Sequence, residues 1–528
     1  MPVDAHHTKG KLTMSADPQS VSPSAVIARQ DRIQVWSLPY LFVFIIGIGF
    51  LFTFYDIFDI NVSFLQTCSQ IVSHCVAAPL PGHAVPNGFV EGSDRLGLPV
   101  LWNLIGYVIG ALILSPLSDR FGRRDMLLVT MLITGLGSLA TAFTNDYNTF
   151  IIARTITGIG IGADLAVVNT YINEVAPRGG RAKYTSLIFI MSALGAFVGI
   201  WLGLILTTPP GQFPLGLSFS QATVQPELPA GVLFIGNGWR IMYIVGAVLA
   251  LVGILLRVQL PESPRWLVSK GRLQDADAVV RRMEHYASGK SGQQAAPTVM
   301  DEVPVQSGSG AGEGFSAIFS NPRYLGRVIF LLIMWFIAYV TVYTIAAGMT
   351  SVLAFLGYPP PEAGMIVAVG TIGFILCGIF AFFFAERLER KLWLPIGAVL
   401  TLIGGILIAV SGTFTAPTVN GTVIVAFIGS IILFFGFNVW VPITYAWSTE
   451  NFPTRARTTG FGIVDVIGHI GGGVGLLFIA GTVLPTLGKQ QNGVLYSFLV
   501  IAAFLIVAAI IAQFGIRTRN QRLDVVSP

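Results

Sequence analysis

Twelve apolar segments, each long enough to cross a lipid bilayer, determine what this chain of 528 residues can fold into. A membrane-spanning helix needs about 20 predominantly apolar residues to cross a hydrocarbon core about 30 Å thick. The segments are too long and too uniformly apolar for the alternating strands of a β-barrel. The sequence therefore predicts an all-α membrane protein, with spans near residues 37–66, 98–117, 126–145, 149–172, 184–206, 239–257, 326–347, 361–385, 393–412, 422–447, 458–483 and 494–516.

The distribution of charge predicts how the chain crosses the membrane. Hydrophobic residues make up 53% of the chain and charged residues 11%, against about 25% charged in soluble domains. Between the predicted spans, Lys and Arg concentrate on one side of the membrane, with Arg95, Arg240 and Lys489 on the other. The positive-inside rule then predicts a multi-pass protein of the cell membrane with both termini in the cytoplasm. The net charge of +5 reflects this sorting and the anionic lipid surface, so no nucleic-acid partner is expected.

A polar stretch divides the twelve spans into two sets of six. We predict a cytoplasmic tail (1–35), a six-helix bundle (36–257), a cytoplasmic central loop (258–325), a second six-helix bundle (326–516) and a cytoplasmic tail (517–528). The central loop ends in the glycine-rich run GSGAGEG. This run is predicted to be a flexible linker rather than a phosphate loop, because it neither follows a strand nor opens a helix.

Cys68 and Cys75 fall in the loop after the first span. Two thiols seven residues apart suit either a disulfide or two free cysteines, and the sequence leaves both alternatives open.

The two halves contain a related short motif at corresponding positions. The pattern E-x-x-P-x-x-x-R follows the fourth span, from Glu174 to Arg181, and the tenth span, from Glu450 to Arg457. Duplicated six-helix halves suit alternating access, in which the halves rock around a central site. The repeat therefore favours a membrane transporter.

Three further motifs resemble those of the major facilitator superfamily. Residues 115–124 are similar to the superfamily's loop G-x-x-x-D-R-x-G-R-R, with serine at the first glycine, and residues 154–160 resemble the fourth-helix motif R-x-x-x-G-x-G. Residues 261–267 read P-E-S-P-R-W-L, an element that follows the sixth helix in sugar porters, organic-ion transporters and synaptic-vesicle-protein relatives. The resemblance implies two pseudo-symmetric six-helix bundles around a cavity, with the third, sixth, ninth and twelfth helices facing lipid.

Charged residues at the cytoplasmic helix ends are predicted to gate the transporter through ion pairs. The alternative is that they anchor the topology at the lipid surface. The predicted gating residues are Asp119, Arg120, Arg123, Arg124, Glu174, Arg181, Glu450 and Arg457.

Ionisable residues inside the spans are candidates for proton coupling, because each costs about 2.5–3.5 kcal/mol at a helix centre unless it faces a cavity or a partner. Asp56 and Asp59 are three residues apart on one helix, which favours a shared proton. The resemblance to proton-coupled sugar porters implies that Arg154 pairs with Asp56 in one protonation state; a permanent structural ion pair is the alternative. The full candidate set is Asp56, Asp59, Arg154, Asp164, Asp465 and His469.

Asp465 and His469 are four residues apart, so they lie on one helix face. Such a pair suits a proton relay near neutral pH, or equally a hydrogen bond that fixes helix packing.

Aromatic and amide side chains on the predicted cavity helices suit a sugar or a ring-bearing solute, with ordinary packing as the alternative. These substrate-binding candidates are Asn103, Trp335, Tyr339, Tyr343, Asn438 and Trp440.

Part of the chain is also similar to phosphate:proton symporters. Residues 55–61 resemble their Y-D-x-F-x-I-N segment, and residues 162–164 resemble their G-G-D. Tyr339, Ser192 and His469 stand where that family has aspartate, glutamine and lysine. Phosphate binding needs cationic and donor groups, of which this set has few.

The sequence thus predicts a secondary active transporter that couples proton entry to the uptake of a small polar organic solute, a sugar or an organic acid, by alternating access. The alternatives are a proton-coupled phosphate or organic-cation carrier, a drug/proton antiporter, and a non-transporting nutrient sensor. A monomer in the lipid bilayer is expected. No metal, cofactor or enzymatic activity is expected, because the H-E-x-x-H, G-x-S-x-G and ATP-binding motifs are missing from the sequence.

Overall fold

The computed structural model describes most of the chain as helices. The described residues are 22–33, 36–72, 93–176, 181–208, 237–291, 311–358, 360–385, 387–412, 421–453, 457–488, 490 and 492–519. Over this part of the chain there is no β-strand.

Twelve helices are long and apolar enough to cross a membrane. We label them α1 to α12. The predicted all-α class and its twelve spans are confirmed. The bounds are Tyr40–Ile71 (α1), Gly97–Phe121 (α2), Arg123–Ala142 (α3), Tyr147–Val175 (α4), Arg181–Thr207 (α5), Gly238–Arg257 (α6), Pro322–Ala346 (α7), Pro360–Phe384 (α8), Trp393–Ser411 (α9), Gly421–Val439 with Val441–Glu450 (α10), Arg457–Phe478 with Ile479–Gly488 (α11) and Gly493–Gln513 (α12).

The helices pack as two related six-helix bundles. In the first, α1 packs on α5 and α6, and α4 packs on α2 and α3. The same pairs recur six helices later, because α7 packs on α11 and α12, and α10 packs on α8 and α9. The bundles meet where α5 contacts α8 and where α2 contacts α11. These two contacts are equivalent, because a shift of six helices converts each one into the other. This packing is a pseudo-two-fold arrangement of two six-helix bundles.

The helices that the resemblance places toward lipid expose apolar side chains. Leu136 on α3, Leu255 on α6, Val410 on α9 and Ile510 on α12 are each more than half exposed. In lipid such side chains replace the polar surface of a soluble protein.

Two spans of the second half are irregular near prolines. The helix α10 is interrupted at Trp440, and Pro442 follows in the first turn of its second segment. The end of α11 is π-helical around Pro485. Proline lacks the backbone N–H that a regular helix needs, so both irregularities have a local cause.

Glycines of the fourth-helix motif bring three helices of the first half together. A side chain on Gly158 would collide with the backbone of Asn103 on α2, and one on Gly160 would collide with the backbone of Thr134 on α3. Small residues allow such close backbone approach in membranes. The motif therefore fixes the position of α4, which also carries Arg154.

Four shorter helices lie at the end of the molecule that holds both described chain ends. An N-terminal helix (Pro23–Arg32) falls within the predicted tail. The predicted central loop contains Pro264–Ser269, a linker helix (Leu273–Ser291) and Ala311–Phe319. The last of these begins inside the glycine-rich run, so the prediction that the run opens no helix is wrong.

The N-terminal helix is held to the linker helix and to α4 by polar contacts. Arg29 contacts the carboxylates of Asp277 and Glu284, each at 2.5 Å. Hydrogen bonds to these two acids raise the pKa of the Arg29 guanidinium, and the bond to Glu284 has the larger effect. The Gln30 amide donates to the Glu174 carbonyl at 2.6 Å. The N-terminal helix, the linker helix and the end of α4 therefore form one polar cluster.

The opposite end of the molecule is closed by Asn61. Its amide nitrogen donates to the carbonyls of Ile345 and Ala346, at 3.0 and 2.7 Å. Its amide oxygen accepts from the backbone N–H and the hydroxyl of Thr350, at 3.0 and 2.6 Å. These bonds join α1 of one half to the end of α7 in the other. The bundles are therefore in contact on the side of the membrane opposite the described chain ends.

The cysteines are described in part. Cys68 lies in a disulfide, and Cys75 is outside the described residues. Cys377 on α8 is a buried free thiol.

Candidate functional site

Two acids and one arginine meet inside the first half. Arg154 on α4 contacts the Asp56 carboxylate on α1 at 2.5 Å and donates to the Asp56 backbone carbonyl at 2.9 Å. Asp59, one turn along α1, lies 3.7 Å from the same guanidinium nitrogen. All three side chains are at most 2% exposed. The structure thus brings together three of the six predicted coupling residues, with two carboxyls for one fixed positive charge.

The contacts of the two acids are unequal. One oxygen of Asp56 is occupied by Arg154, whereas no hydrogen bond of acceptable geometry reaches either oxygen of Asp59 from the described residues. The Tyr243 ring lies beside Arg154, with its centroid 5.3 Å from the guanidinium carbon. A buried carboxylate without donors is costly, so Asp59 is the group better suited to carry a proton.

Asp164 forms a second and separate ion pair. Both of its oxygens contact the guanidinium of Arg257 at the end of α6, and the longer of the two contacts is 3.0 Å. The Thr130 hydroxyl donates to the same carboxylate at 2.9 Å. Arg257 also donates to the Leu127 carbonyl at 3.0 Å. Both charged side chains are fully buried, and this bidentate geometry is typical of a strong ion pair with a fixed orientation.

The third cluster lies where the two halves meet. Asp465 on α11 accepts hydrogen bonds at 3.0 Å from Tyr107 on α2 and from Tyr339 on α7. His469 lies one turn further along α11, with its Nδ1 at 2.7 Å from the Asp465 backbone oxygen and 3.5 Å from the carboxylate. Tyr445 on α10 extends the network through a 2.8 Å hydroxyl contact with Tyr339.

The imidazole of His469 is held between aromatic rings. The centroid of Tyr107 is 4.4 Å from it and that of Tyr339 is 4.2 Å away. Tyr343 approaches edge-on at 5.8 Å. Because Tyr107 belongs to the first half and the other residues to the second, this cluster bridges the halves.

The predicted substrate-binding residues divide into two groups. Tyr339 and Tyr343 belong to the His469 cluster. Trp335 packs against Tyr339 in a tilted arrangement with ring centroids 5.0 Å apart, and the fully buried Trp440 lies 5.2 Å from Trp335. Trp335 therefore packs against a tyrosine of the cluster, and Trp440 packs against Trp335.

The two predicted amides are engaged elsewhere. The Asn103 amide nitrogen donates to the Arg154 backbone carbonyl at 2.8 Å, and that of Asn438 lies 3.8 Å from the Cys377 sulfur. These donors are committed to helix contacts.

Arg123 organises the ends of α2, α3 and α4. It contacts the carboxylates of Asp119 and Glu174, at 2.5 and 3.1 Å. Glu262, in the element after α6, accepts the backbone N–H groups of Arg123 and Arg124, at 3.0 and 3.2 Å. Burial raises the pKa of the Glu262 carboxyl. As the medium is acidified, Glu262 therefore takes up a proton at a higher pH than an ordinary glutamate does, and its hydrogen bonds to the two N–H groups then weaken.

The second half has a counterpart to this cluster. Arg390 contacts Glu450 at 3.5 Å, as Arg123 contacts Glu174, and the Thr518 hydroxyl donates to the same glutamate. Across the described residues every ion pair lies within one half or among the short helices that adjoin it. These clusters therefore brace each bundle internally in this conformation.

Among the predicted gating residues whose side chains are described, Arg120 and Arg124 form no ion pair. The Arg120 side chain is exposed, with its guanidinium carbon 5.5 Å from the Phe121 ring centroid. The side chains of Arg181 and Arg457 lie outside the described residues. Their gating role stays a prediction.

Sequence reasoning missed three residues of these clusters. Arg257 ends the sixth predicted span and is not among the predicted coupling residues, yet it is fully buried against Asp164. Tyr107 and Tyr243 carry no local signal, since each reaches its partner from another helix. Because Arg154 on the same span pairs with Asp56, Asp164 needs a cation from another helix, which was the available hint for Arg257.

Comparison with known proteins identifies the family. A sequence profile of the sugar (and other) transporter family matches residues 40–524. The chain belongs to this family. It is therefore a multi-pass membrane transporter with the major facilitator fold, as predicted.

Individual relatives are distant but extend over most of the chain. The niacin transporter NiaP of Acinetobacter baylyi is 23% identical over 500 residues, which cover 94% of this chain and 99% of the relative. The D-xylose transporter of Levilactobacillus brevis is 28% identical over 389 residues, covering 71% of this chain and 75% of the relative.

The fold is that of a solved transporter. The partially occluded, inward-open structure of the xylose transporter XylE from E. coli matches 92% of this chain and 99% of its own, with a TM-score of 0.64 and 20% identity. A likeness at this identity shows the shared fold.

Proposed function

We propose that this protein is a proton-coupled symporter that carries a small polar organic solute, a sugar or an organic acid, by alternating access. The Asp56–Arg154–Asp59 cluster carries the proposal. One carboxylate balances the guanidinium, and the second is accommodated in a buried site by taking up a proton. We assign that proton to Asp59 in the present conformation, because Asp56 holds the direct contact with Arg154.

The relatives support this assignment. XylE is described as a proton:xylose symporter, and a relative from Bacillus subtilis is named an arabinose-proton symporter. The niacin and xylose transporters extend the solutes of the relatives from sugars to organic acids. All are transporters, so we propose transport without catalysis for this chain.

The coupling step follows from the charges. When the halves open toward the proton-rich side, Asp56 and Asp59 compete for Arg154, and the excess carboxylate takes up a proton. When the halves rock, water reaches the cluster from the other side and the proton leaves. Because a lone buried carboxylate is unfavourable, the reorientation proceeds readily with the proton bound.

We place both termini in the cytoplasm and treat the monomer as the transporting unit. The polar clusters of Arg29, Arg123 and Arg390 all lie at the end of the molecule with the described chain ends, as the positive-inside rule requires of the cytoplasmic face. One chain supplies both bundles and every residue of the three buried clusters.

Uptake into proteoliposomes tests the proposal. Wild-type protein should accumulate solute when the pH is lower outside, with D-xylose, an organic acid, an organic cation and phosphate as trial solutes. Asp59→Asn should lose accumulation by at least about tenfold, because the fixed neutral amide cannot release a proton. It should retain solute counterflow, which needs no net proton movement. Asp56→Asn should also abolish accumulation.

The matched control makes the same chemical change at the surface. Asp275 on the linker helix pairs with Arg272 in solvent, and Asp275→Asn should accumulate solute normally. Undiminished accumulation by both Asp56→Asn and Asp59→Asn would refute the proposed coupling site. Wild-type uptake that does not depend on the pH gradient would refute proton symport.

A further inference from the structure

The cluster around His469 contains no permanent positive charge. Among the described residues, Asp465 and His469 contact each other and four phenols, and neither forms an ion pair with Arg or Lys. The groups that face the pair from the neighbouring helices are Tyr107 on α2, Tyr339 and Tyr343 on α7, and Tyr445 on α10. The charge of this site is therefore set by how many protons the pair holds.

We propose that this cluster binds the carboxylate of a flat, ring-bearing organic acid, with protonated His469 as its counter-charge. The inference rests on the proposed transport function and narrows its solute to a cyclic monocarboxylate. The D-xylose and polyol class is then excluded as the preferred solute.

Charge balance supports a monoanion. With one proton the Asp465–His469 pair is neutral, and with a second proton it carries a single positive charge. Burying an uncompensated charge is costly, so the second proton and a monocarboxylate stabilise each other's binding. The four surrounding phenols remain neutral near pH 7.

The imidazole is held in position and keeps one nitrogen for a ligand. Its Nδ1 is occupied by the Asp465 backbone oxygen at 2.7 Å, whereas no described residue hydrogen-bonds to Nε2. Stacking on Tyr107 and a tilted contact with Tyr339 restrict the orientation of the ring. A donor fixed in advance binds a carboxylate without the cost of ordering the side chain.

Neighbouring half-buried aromatic residues suit the ring of such a solute. Phe189 on α5 lies 6.0 Å from Tyr445, and Phe461 on α11 approaches Tyr445 edge-on at 5.2 Å. All three side chains are partly exposed, and they come from both halves. Aromatic side chains prefer stacked or edge-on contacts with another ring.

Several polar groups of the same region are already engaged in contacts within the protein. A sugar presents several hydroxyls, and a site for it must satisfy each one once it is buried. The amide donors of Asn103 and Asn438 are committed elsewhere. The Tyr107 and Tyr339 hydroxyls already donate to Asp465.

Calorimetric titration of the full-length protein in detergent tests the inference with benzoate as the probe. Benzoate should bind wild-type protein, and its affinity should fall by about tenfold or more between pH 5.5 and 8, because the proposed binding of the monoanion takes up a proton at the site. Benzamide, which has the same ring without the charge, should bind at least about tenfold more weakly at pH 5.5.

His469→Gln replaces the imidazole with an amide, which can still donate a hydrogen bond but cannot carry a positive charge. It should weaken benzoate binding by about tenfold or more at pH 5.5 and abolish the pH dependence. The matched control is His285→Gln on the exposed face of the linker helix, which should bind as wild type does. Tyr339→Phe is a milder second variant, because it removes one hydrogen bond to Asp465 and keeps His469. It should alter the pH dependence of benzoate binding.

Several outcomes would overturn the inference. These are wild-type protein that does not bind benzoate, benzamide binding equal to benzoate binding, and His469→Gln with wild-type affinity and pH dependence. Binding is measured without a pH gradient, so it is independent of transport. A protein that accumulates D-xylose but does not bind benzoate would therefore reject this inference and leave proton-coupled symport intact. A protein that binds benzoate but never accumulates any solute would instead reject the proposed function.

Discussion

Arg154→Gln is expected to abolish solute accumulation and to make the protein markedly less stable. The substitution leaves Asp56 and Asp59 together in a site that is almost inaccessible to solvent, without their shared cation. Removing one partner of a buried ion pair costs about 3–5 kcal/mol. Glutamine keeps some hydrogen-bonding capacity, so the loss is attributable chiefly to the missing charge. Thermal unfolding in detergent measures the stability, and proteoliposome uptake measures the activity.

A second substitution separates charge from structure. Arg154→Gln combined with Asp56→Asn should recover part of the lost stability, because one buried acid is neutralised, but should not recover accumulation. Arg272→Gln, at the exposed residue just before the linker helix, is the matched control and should change neither property. Accumulation at the wild-type level by Arg154→Gln would be incompatible with the proposed role of the cluster.

Asp164→Asn is expected to have an equally large effect on stability for a different reason. Arg257 is fully buried and takes its counter-charge from both oxygens of Asp164. The asparagine variant leaves that guanidinium uncompensated, at a cost of about 3–5 kcal/mol. Thr130→Val removes a single hydrogen bond to the same carboxylate, and should cost less, about 1.5–3 kcal/mol. Unfolding midpoints of the two variants measure the difference.

The activity of the Asp164 variant distinguishes a structural pair from a coupling site. The fraction of Asp164→Asn protein that folds should still accumulate solute in response to a pH gradient, because we assign the Asp164–Arg257 pair a structural role rather than a role in coupling. Folded Asp164→Asn protein that exchanges solute but cannot accumulate it would show that Asp164 takes part in coupling, as its sequence position alone suggested.

The membrane fold is readable from the sequence because a bilayer imposes a simple rule on length and hydropathy. Each of the twelve apolar runs forms a helix, since backbone groups in lipid must be satisfied within the segment itself. The fourth-helix motif is equally local in origin. Arg154 supplies the charge, and Gly158 and Gly160 let α4 approach its neighbours. The pairing of Arg154 with Asp56 followed from the family resemblance rather than from spacing.

The remaining parts of the site depend on contacts between distant segments. Arg257 lies 93 residues from Asp164, and Tyr107 lies 358 residues from Asp465. No periodicity within one helix reports which side chain of another helix faces it. For the same reason Asn103, a reasonable solute ligand by residue type, proves to hold α4 through the Arg154 backbone.

The central claim is that the Asp56–Asp59 pair holds one proton that is exchanged during transport. Infrared difference spectroscopy of the reconstituted protein, recorded between acidic and alkaline buffer, measures the protonated carboxyl directly. The wild type should show the carbonyl band of a buried protonated carboxylic acid that disappears on alkalinisation, and Asp59→Asn should lack this band while Asp275→Asn retains it. The same band at full intensity in both Asp56→Asn and Asp59→Asn would contradict the account.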